Sequence, residues 1–389
     1  MKSNFICFSI LMIWGLNIAC SPKTETSQSG TENYTLVKVD SFGIKNLTQI
    51  VITDYSPVKQ VYLGYSTISD ELLIIGEKGE LINRVSKKGE GPGLYGNWNP
   101  TGMSFTPEGN ILLEFPFSLV TLSPEFEILS QHRVSSPLPI RTFGPMGKTP
   151  IYQINATSYA LVGPSSFLPA HYLIMNKEGK DTLQHFSQIN LENGNQISVI
   201  PYDPESVYAK TDQMYYELMT KTFVVDQERN EMALVTGLDQ KILLYDLASL
   251  SKKAEIPFEH ESFITFPPLP IGTPANDPNY NQHRVYSGRN QRLIHLGGQT
   301  YLLHYFKGIS EATFLTKSAQ NESYSPQEDP EFRSVKLFLD GKALPYELAS
   351  PSGSMILGLP DNKILVQEPN HPDVEEEEFR FSIYQLKKK

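Results

Sequence analysis

Short apolar runs, each about five residues long and each closed by a polar turn, recur from near residue 60 to the end of this chain. The first group holds 60–65 (QVYLGY), 71–75 (ELLII) and 81–85 (LINRV). A second holds 102–105 (GMSF) and 111–115 (ILLEF), joined by the turn residues Pro107, Gly109 and Asn110. A third holds 152–154, 159–162 and 171–175, and a fourth 222–226, 231–235 and 242–246. The fifth comprises 292–296, 300–306 and 335–339, and the last 355–358, 361–366 and 379–384. Six units thus begin near residues 60, 100, 150, 220, 292 and 353. β-branched and aromatic residues between Gly- or Asn-bearing turns favour strands, and small sheets repeated at this spacing point to an all-β fold, a β-propeller of six blades. An early strand at 34–39 (YTLVKV) has no local partner, so it is expected beside 379–384, sealing the ring. A two-sheet sandwich with a second domain is the competing architecture, disfavoured because the units continue to the C terminus. Long helices are not expected; residues 208–220 are the best candidate for a short one.

The N terminus carries an address. Lys2 precedes an apolar stretch from Phe5 to Leu16, too short to span a bilayer, and Ala19 stands directly before Cys20. Leu16-Asn17-Ile18-Ala19-Cys20 resembles the lipobox of bacterial lipoproteins, which implies cleavage before Cys20 and acyl chains on its sulfur. An ordinary secretory signal cut near Ala19 is the alternative. Of the two cysteines, Cys7 lies in the removed peptide, so the mature chain has no internal disulfide and depends on packing. Residues 21–33 (SPKTETSQSGTEN) lack apolar periodicity and read as a flexible tether. The expected organisation is a signal peptide at 1–19, a tether at 20–33 and one propeller at 34–389. Such a protein sits in the cell envelope as an outer-membrane lipoprotein, on the periplasmic face or the cell surface, with the membrane as partner through Cys20.

The net charge is −10, and it becomes −11 once Lys2, the only charge in residues 1–19, is removed. Without a basic footprint, nucleic acid is excluded as a partner. Lys387, Lys388 and Lys389 read as a solvated tail.

One motif extends the resemblance. The segment Lys88-Gly89-Glu90-Gly91-Pro92-Gly93-Leu94-Tyr95 follows a strand that ends in basic residues. It resembles the Gly-Pro-Gly inter-blade segment of the six-bladed, TolB-like β-propeller lipoproteins of Bacteroidota. Membership would imply fold and envelope location rather than an activity. The glycines do not form a phosphate loop: the Lys-Ser/Thr pair and a following helix are missing. They read instead as a sharp backbone crossing between blades, stiffened by Pro92.

No G-x-S-x-G elbow, H-E-x-x-H pair or calcium-loop pattern occurs, and no catalytic residue, cofactor or metal is assigned. His295 and His304 fall on adjacent strands of one unit, but buried strand histidines are more often satisfied by hydrogen bonds than by metal. The acidic run 375–378 reads as a solvated turn. The best candidate site is the long insertion at 266–292, far longer than a blade hairpin. It gathers Tyr280, His283, Arg284, Tyr286, Arg289 and Arg292, cations and aromatics suited to carboxylates, sugars or peptide side chains. The competing and more ordinary reading is that the arginines pair with local carboxylates and fix the loop. Tyr95 and Trp98, after the Gly-Pro-Gly turn, form a second candidate at the mouth of a central channel. These features favour a lipid-anchored binding or interaction module for a protein, peptide or glycan. A propeller hydrolase or lyase acting on glycans or peptides is the alternative.

Overall fold

In the computed structural model, which describes residues 33–46, 48–135, 146–163, 185–209, 212–274, 276–369 and 378–389, six four-stranded antiparallel units form the blades of a β-propeller, the second of them extended at its inner edge by the short parallel strand Gly147–Lys148. Their innermost strands are Ile50–Ser56, Gly102–Phe105, Ile151–Ile154, Lys221–Asp226, Arg289–Gly297 and Ser354–Leu359, for blades 1 to 6 in turn. Each later strand of a blade pairs with the one before it, so the sheets are meanders built from local hairpins. Blade 6 is the exception. Its outer strand is Tyr34–Lys45 from the N terminus, paired with Glu378–Lys388 from Tyr34↔Lys388 to Lys45↔Glu378. The early strand therefore closes the ring, as its sequence suggested, and the Lys389 amide donates to Asn33 O at 2.7 Å.

The core is divided among the contacts between blades. One apolar cluster lies at each of the six junctions. Successive residues of a central strand feed opposite junctions, because strand side chains alternate between faces. Leu72 packs toward blade 2 and Leu73 toward blade 6; Leu302 packs toward blade 6 and Leu303 toward blade 4. A central strand buried on both faces needs apolar residues at every position. That is why runs such as ELLII and TYLLHYF are continuous.

Two expectations need correction. Residues 208–209 and 212–220 hold turns and the short strand Gln213–Met214, not a helix. The α-helix among the described residues is Glu311–Gln320, capped where the Ser310 hydroxyl accepts from Thr313 N at 3.1 Å. The insertion is also shorter than its sequence implied. It ends at Gly288, and Arg289 and Arg292 belong to the inner strand of blade 5. Cys20, residues 171–175 and residues 375–377 lie outside the described residues.

The starts of the innermost strands gather at one end of the ring. The segment after Leu81–Val85, the segment 200–220 and the insertion before Arg289 all join blades at this end. The two chain ends meet at the opposite one, where Tyr34 pairs Lys388 beyond the Leu359–Lys363 turn.

Candidate functional site

The insertion's aromatic and cationic residues are mostly turned into its own core. Tyr280 is buried, donates from its hydroxyl to Thr273 O at 2.6 Å and meets the edge of Tyr216 with ring centroids 4.4 Å apart. His283, on the single π-helical turn Gln282–Tyr286, is fully buried. Its Nδ1 accepts from Tyr216 N at 3.1 Å and its Nε2–H donates to Pro267 O at 2.7 Å, which defines a neutral ring. Burial lowers its pKa accordingly. Tyr286 packs with Phe306 and Ile309 and against the edge of Phe314.

Arg289 ties the turn to blade 5. Its Nη2 donates to the carbonyl oxygens of His283 and Arg284, and its Nη1 lies 4.0 Å from Glu217 Oε2. Burial brings this guanidinium down to about 10 and raises the Glu217 carboxyl. Of the group, Arg284 and Arg292 are exposed, the latter to the channel rather than with the insertion. These six residues therefore do not converge on one open surface.

The second candidate lies at the channel mouth, built by the Gly-Pro-Gly loop. Gly91 and Gly93 flank Pro92 at φ of 133° and 75°, values that favour glycine. Two hydrogen bonds between Gly89 and Gly96, at 2.9 and 3.0 Å, close the loop into a narrow finger. Tyr95 is buried against Phe115, with centroids 5.1 Å apart. Trp98 rests on the cluster between blades 1 and 2 and turns part of its surface to the channel. Beside it, the Lys88 ammonium is held by Asp70 Oδ2 at 2.9 Å and Asn99 Oδ1 at 2.7 Å.

Behind this mouth is a cavity of about 1010 Å³, running along the propeller axis between the innermost strands. Its wall alternates hydroxyls (Thr53, Thr222, Ser354) with aliphatics (Val51, Val224, Ile356). Two β-bulges place charges on the inner strands. A register shift between Ile52 and Asp54 accompanies a buried Asp54, which accepts from Lys148 Nζ at 2.7 Å, Tyr55 N at 2.9 Å and Phe105 N at 2.9 Å. A shift between Asn290 and Arg292 accompanies Arg292, whose Nη1 donates to Ile356 O at 3.0 Å. Arg292 is exposed to the channel yet ringed by protein, and those surroundings lower its pKa.

His295 and His304 do not meet: His295 is opposite Tyr301 and His304 opposite Arg292. His295 Nε2 contacts Gly298 O at 2.9 Å, while the buried His304 is pushed down to about 3 by burial and by Arg333 and Arg292. Among the described residues, no group of three or more His, Cys, Asp or Glu could hold a metal ion.

Of the eight candidate ligand-binding residues, Arg292 and Trp98 line this cavity and the other six do not; His295 and Lys88, named from sequence for other reasons, line it too. Asp54 and Lys148 were missed. A lone carboxylate within the apolar stretch IVITDYS was the available signal for Asp54. Lys148 had none, because its place depends on Gly147–Lys148 running parallel to Gly102–Met103 at the inner edge of blade 2.

No protein-family model and no curated protein matches the chain. Solved structures do. A member of the DUF4221 family from Bacteroides vulgatus is 13% identical, with 92% of this chain and 100% of that one covered and a TM-score of 0.65. A protein from Bacteroides fragilis described as exported is 12% identical over 94% of this chain and 98% of that one, with a TM-score of 0.48. A β-propeller domain from Myceliophteria thermophila is 8% identical over 88% and 99%, with a TM-score of 0.44. At these identities the likeness concerns the fold alone.

Proposed function

We propose that this chain is an envelope binding module, anchored by lipid on Cys20, which takes its ligand into the central channel and does not transform it. The observation that carries the reading is the cavity of about 1010 Å³, which is at the upper end of the size of small-molecule pockets and has mixed hydroxyl and aliphatic walls. Propeller channels gather residues from every blade, so a binding surface can be assembled without any local sequence motif. The lipobox-like Leu16–Cys20 segment and the polar residues 21–33 support the anchor. A chain tethered at Asn33 would present the opposite end, with its Trp98 mouth, away from the bilayer.

Trp98 supplies the test. The chain has two tryptophans, Trp14 and Trp98, and Trp14 leaves with residues 1–19, so the mature protein carries a single reporter at the channel mouth. Screening that protein against envelope glycans and short peptides is expected to yield a saturable change in Trp98 emission together with a raised Tm. A panel that stabilises the protein without touching Trp98 would move the site elsewhere. A ligand recovered cleaved would replace the non-catalytic reading with the hydrolase or lyase one.

A further inference from the structure

We infer that the channel selects a small organic carboxylate with an apolar body, gripped by the Arg292 guanidinium; this deepens, and rests on, the channel-binding reading above. The first observation is charge. Among the described residues lining the cavity, Lys88, Lys148 and Arg292 are cations and Asp54 is the one carboxylate, in a chain of net charge −10. Two of the three cations are already matched: Lys148 by Asp54 and Lys88 by Asp70. Arg292 is not. Among the described residues its partner is the Ile356 carbonyl and no carboxylate pairs with it, and the neighbouring His304 is neutral.

The second observation is unsatisfied donor capacity. A guanidinium has five N–H donors, and the one hydrogen bond found for Arg292 leads to Ile356 O. The free donors include the Nη2 and Nε edge, whose planar fork matches a carboxylate in two parallel bonds. The guanidinium opens to the channel, where an arriving carboxylate would take over from solvent the donors that the protein leaves unused. The unmatched charge is a single unit, which suits a monocarboxylate better than a phosphate dianion.

The third observation concerns the rest of the ligand. Val51, Val224 and Ile356 present half-buried aliphatic surface to the channel, and Trp98 adds an aromatic face at the mouth. A molecule held at its carboxylate by Arg292 would lay an apolar body on this wall.

Sodium phenylacetate and its uncharged counterpart phenylacetamide serve as probes, titrated at constant ionic strength into the mature protein, whose one tryptophan is Trp98. Phenylacetate is expected to give a saturable change in Trp98 fluorescence in the millimolar range, with the amide at least tenfold weaker. Arg292→Gln, which keeps a donor for Ile356 O, should remove that preference. Ser354→Asp, two residues from Ile356 on the same strand, should supply an internal carboxylate and weaken phenylacetate alone. Equal binding of acid and amide, or a preference that survives Arg292→Gln, would overturn the carboxylate assignment and leave channel binding standing. No saturable response to either probe, with a channel ligand found in the wider screen, would also overturn it. No channel ligand of any kind would remove both readings.

Discussion

Lys221 opens the inner strand of blade 4, yet it is buried between blades. Its Nζ donates to Ile200 O at 2.9 Å and lies 4.6 Å from the ring centre of Tyr202 and 5.0 Å from that of Phe186. Burial dominates, and it pulls the ammonium down to about 7 despite the attraction of Asp239. In the unfolded chain the same group keeps its ordinary value of about 10.4. Between those two values the unfolded state holds more protons than the folded one, so stability must rise with pH there; below pH 7 both states are charged and the full penalty remains. Urea unfolding at pH 7 and pH 9 should show about 2 kcal/mol more stability at the higher pH. Lys221→Met should abolish that gain. An unchanged pH response in the variant would show that the ammonium is solvated.

At the scale of elements, the central strands were legible because burial on both faces demands unbroken apolar runs. The outer strands were not. ILSQHR at Ile128–Arg133 and SKKAEIP at Ser251–Pro257 are largely solvent-facing, and their pairing with a neighbour is all that makes them strands. The first strand of blade 1, IVITDYS, went unmarked because its apolar run is interrupted by Thr53 and Asp54, the latter a bulge residue. Elements also meet where side chains cannot fit. Gly358, at the end of the inner strand of blade 6, faces the backbone of blade 5 so closely that a Cβ would lie 2.0 Å from His295 O. Gly358→Ala must push these blades apart. The expected cost is about 1–3 kcal/mol, read as a lowered urea midpoint. A neutral outcome would mean that the ring relaxes at this junction without loss.

For the whole molecule, closure depends on two segments far apart in sequence, as Lys38 Nζ donating to Glu368 Oε1 across the joint, 330 residues away, illustrates. Removing residues 1–45 would strip the outer strand from blade 6 and expose its edge. It would also uncover the junction with blade 1, where Phe42 and Ile44 are buried. Losing those two side chains alone corresponds to about 3–6 kcal/mol. The truncated chain is expected to melt at a lower temperature and over a broader range than the full chain in calorimetry. A sharp transition at the original Tm would show that the ring closes without this strand.

The sequence alone determined the fold class, the blade count and the strand that seals the ring, because these follow from local hairpins and from apolar patterning that repeats along the chain. It also named Arg292 and Trp98, though as members of two unrelated loops. Only the tertiary structure decided that these two share a cavity with Asp54 and Lys148, and that Tyr280, His283 and Arg289 serve the insertion's own packing. The reason is geometric. A propeller channel receives a few residues from each blade, so its wall is drawn from positions scattered over some 300 residues. Which cation there lacks a partner depends on bulges and on a parallel two-residue pairing, neither of which leaves a periodic trace in the chain.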